Sequence, residues 1–233
     1  MIVAEVLQEL RQIIEPGITT KDLDRIAQEG IEKRGGVPAF KGYRGYPATL
    51  CISLNNEVVH GIPNPERVIS QGDLVSMDLG AIYKDYYGDS AISLVVGKGS
   101  ELAERLVQVT RQALYKGIEQ VRPKGRLQDI SAAIQEWVES HGFNVVRQFV
   151  GHGVGRQLHE PPEIPNYGKR GKGPKLKAGM VLAIEPMVNA GSPEIRILPD
   201  GWTAVTADGS LSAHFEHSVA ITKKGPYILS SLE

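Results

Sequence analysis

The chain repeats itself once, and a duplication leaves few folds open. Six pairs of residues stand 107 positions apart: Pro16 and Pro123, Asp22 and Asp129, Glu32 and Glu139, Gly35 and Gly142, Gly72 and Gly179, Asp78 and Glu185. The last pair closes two related apolar strings, Leu74-Val75-Ser76-Met77-Asp78 and Val181-Leu182-Ala183-Ile184-Glu185. Matches at one offset also arise by chance, so the weight rests on the order of elements around them.

That order recurs. Ile2, Val3, Val6, Leu7, Leu10, Ile13 and Ile14 lay one stripe along a helix, which Pro16-Gly17 stops. Thr19 or Thr20 caps a second helix, with Asp22 and Asp24 in its positive first turn and Gly35-Gly36 at its end. Strand-like text rich in Val, Ile and Tyr follows, from about 49 to 96. Ser100 then caps a long helix carrying Leu102, Leu106, Val109, Ala113 and Val121, stopped at Pro123 and Gly125. A further helix with Ile130, Ile134 and Val138 ends at Gly142, and strand-like segments resume from about 143 to 221.

Two helix–helix–sheet halves, about 1–97 and 98–233, are expected to pack as one α+β domain with a pseudo-twofold axis. Helices would cover one face of an antiparallel sheet. Side chains alternate along a strand, so Val75, Met77 and Leu79 would face the helices, while Asp78 points away with Leu74 and Ser76. Leu182, Ile184 and Glu185 would repeat these roles. The two acids then meet near the axis, on the uncovered face.

Bulk properties exclude rather than identify. Hydrophobic residues make up 41% of 233, and 26 Lys plus Arg balance 27 Asp plus Glu, so net charge points to neither DNA nor a membrane. Glu5, Glu9 and Arg11 interrupt the apolar residues at the start, leaving neither a signal-peptide core nor a membrane span. Cys51 is the only cysteine, which fits a reducing compartment and a cytoplasmic protein.

Some acids stand where acids are costly. A hairpin turning near Tyr83-Lys84-Asp85 would set Asp78 roughly opposite Asp89, with β-carbons about 5 Å apart. Such a pair persists only with a proton or cation between its members. Glu185 lies between Ile184 and Pro186, and Glu216 in Ala213-His214-Phe215-Glu216-His217, each without Lys or Arg within four residues along the chain. His152 sits in Gly151-His152-Gly153-Val154-Gly155, where glycines let other groups come close. Each residue alone reads as an ordinary turn, edge or core residue. Together, four carboxylates and an imidazole read as a site for two hard or borderline divalent ions such as Mn, Fe, Co or Zn.

The chain resembles the type I methionine aminopeptidases of the pita-bread fold, nearly end to end. The resemblance is carried by Gly42-Tyr43-Arg44-Gly45-Tyr46-Pro47, Cys51-Ile52-Ser53, Asn56-Glu57-Val58-Val59-His60-Gly61-Ile62-Pro63, Gly151-His152-Gly153-Val154-Gly155, Ile184-Glu185-Pro186-Met187 and Glu216-His217. It implies five metal ligands: Asp78, Asp89, His152, Glu185 and Glu216, with Asp89 and Glu216 bridging two ions. It further implies hydrolysis of the first peptide bond behind an initiator methionine when the second residue is small. A hydroxide between ions about 3.5–4 Å apart would attack, Glu185 would shuttle the proton, and His159 and His60 would hydrogen-bond the substrate around the scissile bond.

The same resemblance assigns the methionine pocket to Phe40, Tyr43, Tyr46, Cys51, Leu158, Met187, Trp202 and His214, beside His60 and His159. Phe40, Leu158 and His214 depart from residues common in the family, cysteine, phenylalanine and glutamine respectively. Lys169, Arg170, Lys172, Lys175 and Lys177 form a basic stretch that reads either as a solvated flexible loop or as a contact for ribosomal RNA. Two other readings keep the fold. One is a peptidase cleaving before proline, whose members usually carry an additional N-terminal domain. The other is a non-catalytic binding protein, a class that tends to lose the ligands.

Overall fold

The computed structural model describes residues 1–232. Helices α1 (Ile2–Ile13) and α2 (Thr20–Lys33) precede strands β1 (Val37–Pro38), β2 (Leu50–Leu54), β3 (Glu57–Val59), β4 (Leu74–Tyr83) and β5 (Tyr86–Val95). The second half opens with α3 (Glu101–Ile118) and α4 (Leu127–Ser140). Strands β6 (Asn144–Val145), β7 (Val150–Gly153), β8 (Glu160–Pro165), β9 (Val181–Ile184) and β10 (Met187–Asn189) follow. The last are β11 (Ile195–Ile197), β12 (Ala204–Thr206), β13 (Ser212–His214), β14 (Glu216–Thr222) and β15 (Gly225–Ile228).

Helix-end chemistry repeats with the sequence. The Thr19 hydroxyl accepts from the Asp22 N–H at 3.0 Å, and the Asp22 carboxylate accepts in return from the Thr19 N–H. At the matching place Asp129 accepts from the Arg126 N–H at 3.0 Å. Beyond α2 and α4, Gly35 and Gly142 take φ of +72° and +79°. A β-carbon makes that left-handed conformation costly, so glycine ends both helices.

Nine strands make one sheet in the order β1-β4-β5-β14-β9-β7-β8, with β2 beside β4 and β15 beside β14. Every pairing in it is antiparallel. In this sheet first-half strands meet second-half strands at β5 and β14, through Ala91–Glu216 and Ser90–His217, and elsewhere β3 pairs with β12 through Val59–Ala204 and Glu57–Val205. Two smaller sheets, β13-β10-β6 and β11-β12-β3, stand beside it.

Val75, Met77 and Leu79 are buried with Val6, Leu10, Leu23 and Ile31 of α1 and α2. Leu182 and Ile184 are buried with Leu106, Ile130 and Ile134 of α3 and α4. Each such side chain stabilises the fold by roughly 1.5–3 kcal/mol relative to exposure. The expected split of the strand faces holds, and Asp78 and Glu185 leave the helix side.

Five expectations change. Leu102 is 46% exposed, because the buried stripe of α3 starts one residue later at Ala103. Val121 is buried but lies past the helix end at Ile118. Leu74 turns from α1 and α2 only to enter the core under α3. The face opposite the helices is not uncovered, since β13 packs against β4 and β5 there. The basic stretch is not a free loop: Gly171 N–H donates to Asp129 at 2.7 Å, Lys169 N–H to Gln128 at 3.1 Å, and Leu127 N–H to the Pro174 carbonyl at 3.0 Å. Its place is at the start of α4.

Candidate metal centre

The β4–β5 hairpin turns at Lys84 and Asp85, both left-handed at φ +49° and +64°. That register pairs Asp78 with Ala91 and Asp89 with Gly80. The two acids are therefore diagonal rather than directly opposed as the sequence suggests, and they share a face. A β-carbon on Gly80 would strike the Phe40 ring, so glycine lets Phe40 pack beside them.

The second half supplies the remaining donors. Glu216 opens β14 directly at the seam, opposite Ala91. His152 on β7 pairs with Ala183 of β9, and Glu185 follows β9 one residue later. Asn166 fixes that backbone by donating to the Glu185 carbonyl at 3.0 Å.

Donor atoms of Asp89, His152 and Glu216 lie within 4.8 Å of one another, all three residues buried. His152 Nε2 stands 3.4 Å from Glu185 Oε1 and 4.0 Å from Asp89 Oδ2. Its Nδ1–H donates to the Gly153 carbonyl at 2.9 Å, leaving the Nε2 lone pair for a cation. Asp78 Oδ1, Asp89 Oδ1 and Glu216 Oε1 are buried with no hydrogen-bond partner. Among the described residues these acids form ion pairs with neither Lys nor Arg. Buried anionic oxygens without partners cost several kcal/mol each unless a cation or proton answers them. Burial, then repulsion from Asp89, pushes the Asp78 carboxyl well above the carboxylate range, and burial pushes Asp89 up to about 7. Burial and the neighbouring acids raise Glu185 and Glu216 in the same way. Four hard oxygen donors and one imidazole, desolvated and unpaired, fit divalent metal.

A cavity of about 280 Å³ opens onto the acids. All eight assigned wall residues line it, as do His60 and His159. Phe40, Tyr46, Cys51 and Leu158 are buried together, with Tyr43 and Trp202 against them. His214 is buried on β13, its Nε2 without a hydrogen-bond partner and 3.9 Å from Glu185 Oε2. His159 stacks on Tyr43 with ring centres 5.3 Å apart, and a 2.9 Å hydrogen bond joins its Nδ1 to the Tyr43 hydroxyl. Its ring centre is 4.2 Å from that of His152. His60 packs edge-on to Phe149 at 5.3 Å. Burial lowers the pKa of both His60 and His159 to about 4, so each is a neutral hydrogen-bonding ring at pH 7.

Four lining residues are not foreseen from the sequence: Arg44, Val59, Phe149 and Val150. Val150 carries a signal, since it stands two residues before His152 on one strand and so shares its face. Arg44 lies inside the Gly42–Pro47 motif, but nothing in that string gives it a role.

The sequence profile described as metallopeptidase family M24 matches residues 1–223. A methionine aminopeptidase of Clostridium perfringens is 53% identical over 232 residues, spanning 100% of this chain and 93% of the relative. Methionine aminopeptidase 1 of Bacillus subtilis is 53% identical over 98% of this chain and 92% of its own. The crystal structure of the Thermotoga maritima methionine aminopeptidase superposes with a TM-score of 0.97 at 52% identity, covering 99% of this chain and 92% of that one. A prolidase of Pyrococcus horikoshii, 23% identical, matches at 0.79 over all of this chain and 59% of its own, which speaks for the shared fold alone.

Proposed function

We propose the function of this chain from one premise: it belongs to metallopeptidase family M24 and, within it, to the methionine aminopeptidases. It is a hydrolase of the pita-bread fold. Our reading is that a single catalytic unit, built from the repeats 1–97 and 98–233, removes N-terminal methionine from new polypeptides in the cytoplasm. The observation that carries it is the cavity, whose apolar walls end at the unpaired acids.

Asp78, Asp89 and Glu216 would hold one ion of a pair, and Asp89, Glu216, His152 and Glu185 the other; cobalt, manganese, iron and zinc all suit this donor set. Divalent ions held there supply a Lewis acid for the peptide carbonyl and bring the pKa of water from about 16 toward about 7. Glu185 takes the proton of the attacking water and passes it to the leaving amine. With the Tyr43 hydroxyl donating to His159 Nδ1, the His159 Nε2–H is left to donate to the carbonyl oxygen as charge develops. His60 donates to the substrate backbone nearby. Phe40, Tyr46, Leu158, Met187 and Trp202 supply apolar wall for a methionine side chain. The rings of His60, Phe149, Tyr43 and His159 line the same cavity and pack on one another in pairs, which supports a small second residue.

The test is turnover of Met-Ala-Ser against an Xaa-Pro peptide, after chelation and anaerobic return of single metals. Release of methionine from the first alone is expected; cleavage of the second alone, or stoichiometric metal with no turnover, overturns the reading. Lys169, Lys172, Lys175 and Lys177 are exposed and, among the described residues, form no ion pair, while Arg170 pairs with Glu136. That surplus supports contact with ribosomal RNA. Neutralising the basic stretch should abolish co-sedimentation with ribosomes, and retained co-sedimentation would exclude the contact.

A further inference from the structure

The four carboxylates would be balanced in charge by two divalent ions. One charged side chain then remains among the residues lining the cavity, that of Arg44. It lies in the turn Tyr43–Gly45, with φ +51° and ψ +21°, a left-handed conformation costly for a residue with a β-carbon. Strain of this kind persists where the surroundings impose it and gathers at ligand sites. Among the described residues Arg44 has no carboxylate within salt-bridge distance, and its guanidinium lies 5.4 Å from the Tyr43 ring centre.

A line of groups leads outward from the acids. His159 stacks on Tyr43 at 5.3 Å and Tyr43 carries Arg44 at 5.4 Å. With the scissile carbonyl at His159, an extended substrate advances about 3.3 Å per residue. Where it runs along the His159–Tyr43–Arg44 line, its second and third residues beyond the scissile bond would come abreast of Arg44.

We propose that Arg44 selects for an anion on the substrate two to three residues past the cleaved bond, an acidic side chain or the free carboxylate of a short peptide. This rests on the aminopeptidase reading of the same cavity. An exposed charge pair contributes little, so the effect is about two- to five-fold at low salt, and it is screened as ionic strength rises.

The test compares Met-Ala-Ser-Ser-amide, Met-Ala-Asp-Ser-amide and Met-Ala-Lys-Ser-amide on metal-loaded enzyme, with kcat and KM separated. Peptide binding, followed through Trp202 in the cavity wall, provides a readout independent of turnover. The expected result is an Asp-over-Ser preference of about two- to five-fold, carried by KM and by binding, with Lys disfavoured. Arg44→Gln should bring the Asp-to-Ser ratio to about one, and Arg44→Lys should keep most of it. Equal binding of the three peptides by the unaltered enzyme, or a preference that survives in Arg44→Gln, overturns the proposal. Binding preference without cleavage would instead count against the aminopeptidase reading while leaving Arg44's role standing.

Discussion

At the scale of single residues, the buried acids make metal-free stability depend on pH in a defined direction. Asp89 titrates near 7 in the fold against an ordinary 3.8, and Asp78, Glu185 and Glu216 are raised too. The native state thus keeps protons that the unfolded chain releases. Stability from Asp89 is complete below about pH 4 and is lost as pH rises through about 7, and the other three acids act in the same direction. His60 and His159 run the other way, from an ordinary 6.5 down to about 4, so their contribution is present above 6.5 and lost as pH falls through 4. Above about pH 6.5 those histidines have finished titrating, and the Tm of chelated protein should still fall as pH rises through about 7. Asp89→Asn should flatten that slope, and an unchanged slope would contradict the assignment. On the proposed mechanism, Glu185 is the residue where binding and proton transfer separate. Glu185→Gln should lower kcat by about 10²–10⁴-fold with a smaller change in KM, and elemental analysis should still find metal. The four acids stood out in the sequence because a carboxylate set in apolar text with no cationic neighbour needs a cation or a proton from somewhere, His152 because glycines flank it, and the family resemblance names the same five. Arg44 and Phe149 were not: their place in the cavity depends on a turn and on loop packing that leave no period in the text.

Elements were legible wherever local chemistry sets them. The pairs Asp22–Asp129 and Gly35–Gly142 sit at equivalent helix ends because caps are decided within a few residues. Register is harder. The sequence suggests Asp78 opposite Asp89, whereas the hairpin turns at Lys84-Asp85 and shifts the pairing to Asp89–Gly80. Two-residue turns of this kind are usually announced by Asn-Gly or Asp-Gly, and this one has Lys84, which dislikes positive φ, at its first position and no glycine at its second. Lys84→Asn with Asp85→Gly should therefore raise stability by about 1 kcal/mol, seen as a higher urea midpoint at unchanged m-value. A lower midpoint would mean that the Lys84 or Asp85 side chain holds the turn in a way its dihedrals do not reveal. The small side sheets are not legible as units either, since three-residue strands are too short to show alternation.

For the whole molecule, the duplication foretold the α+β layout but not how its two copies are joined. The halves share two residue pairs in the main sheet, Ala91–Glu216 and Ser90–His217, with Ser218 reinforcing them through hydrogen bonds to the Asp89 backbone at 2.8 and 3.1 Å. Ions caged beside that joint would bind the native state alone. Free metal at 100 times Kd should then stabilise by about 2.7 kcal/mol, or roughly 5–10 °C in Tm for a chain of this size. Calorimetry of chelated and reloaded protein checks this, and equal transitions would mean that metal does not bind the folded site.

The seam also divides ownership of the chemistry. Asp78 and Asp89 come from the first copy of the repeat, while His152, Glu185 and Glu216 come from the second. Neither copy owns the donors for a pair of cations by itself, so on the proposed reading reactivity is a property of their union. Damage that merely loosened the two copies would silence the enzyme with every ligand still in its sequence.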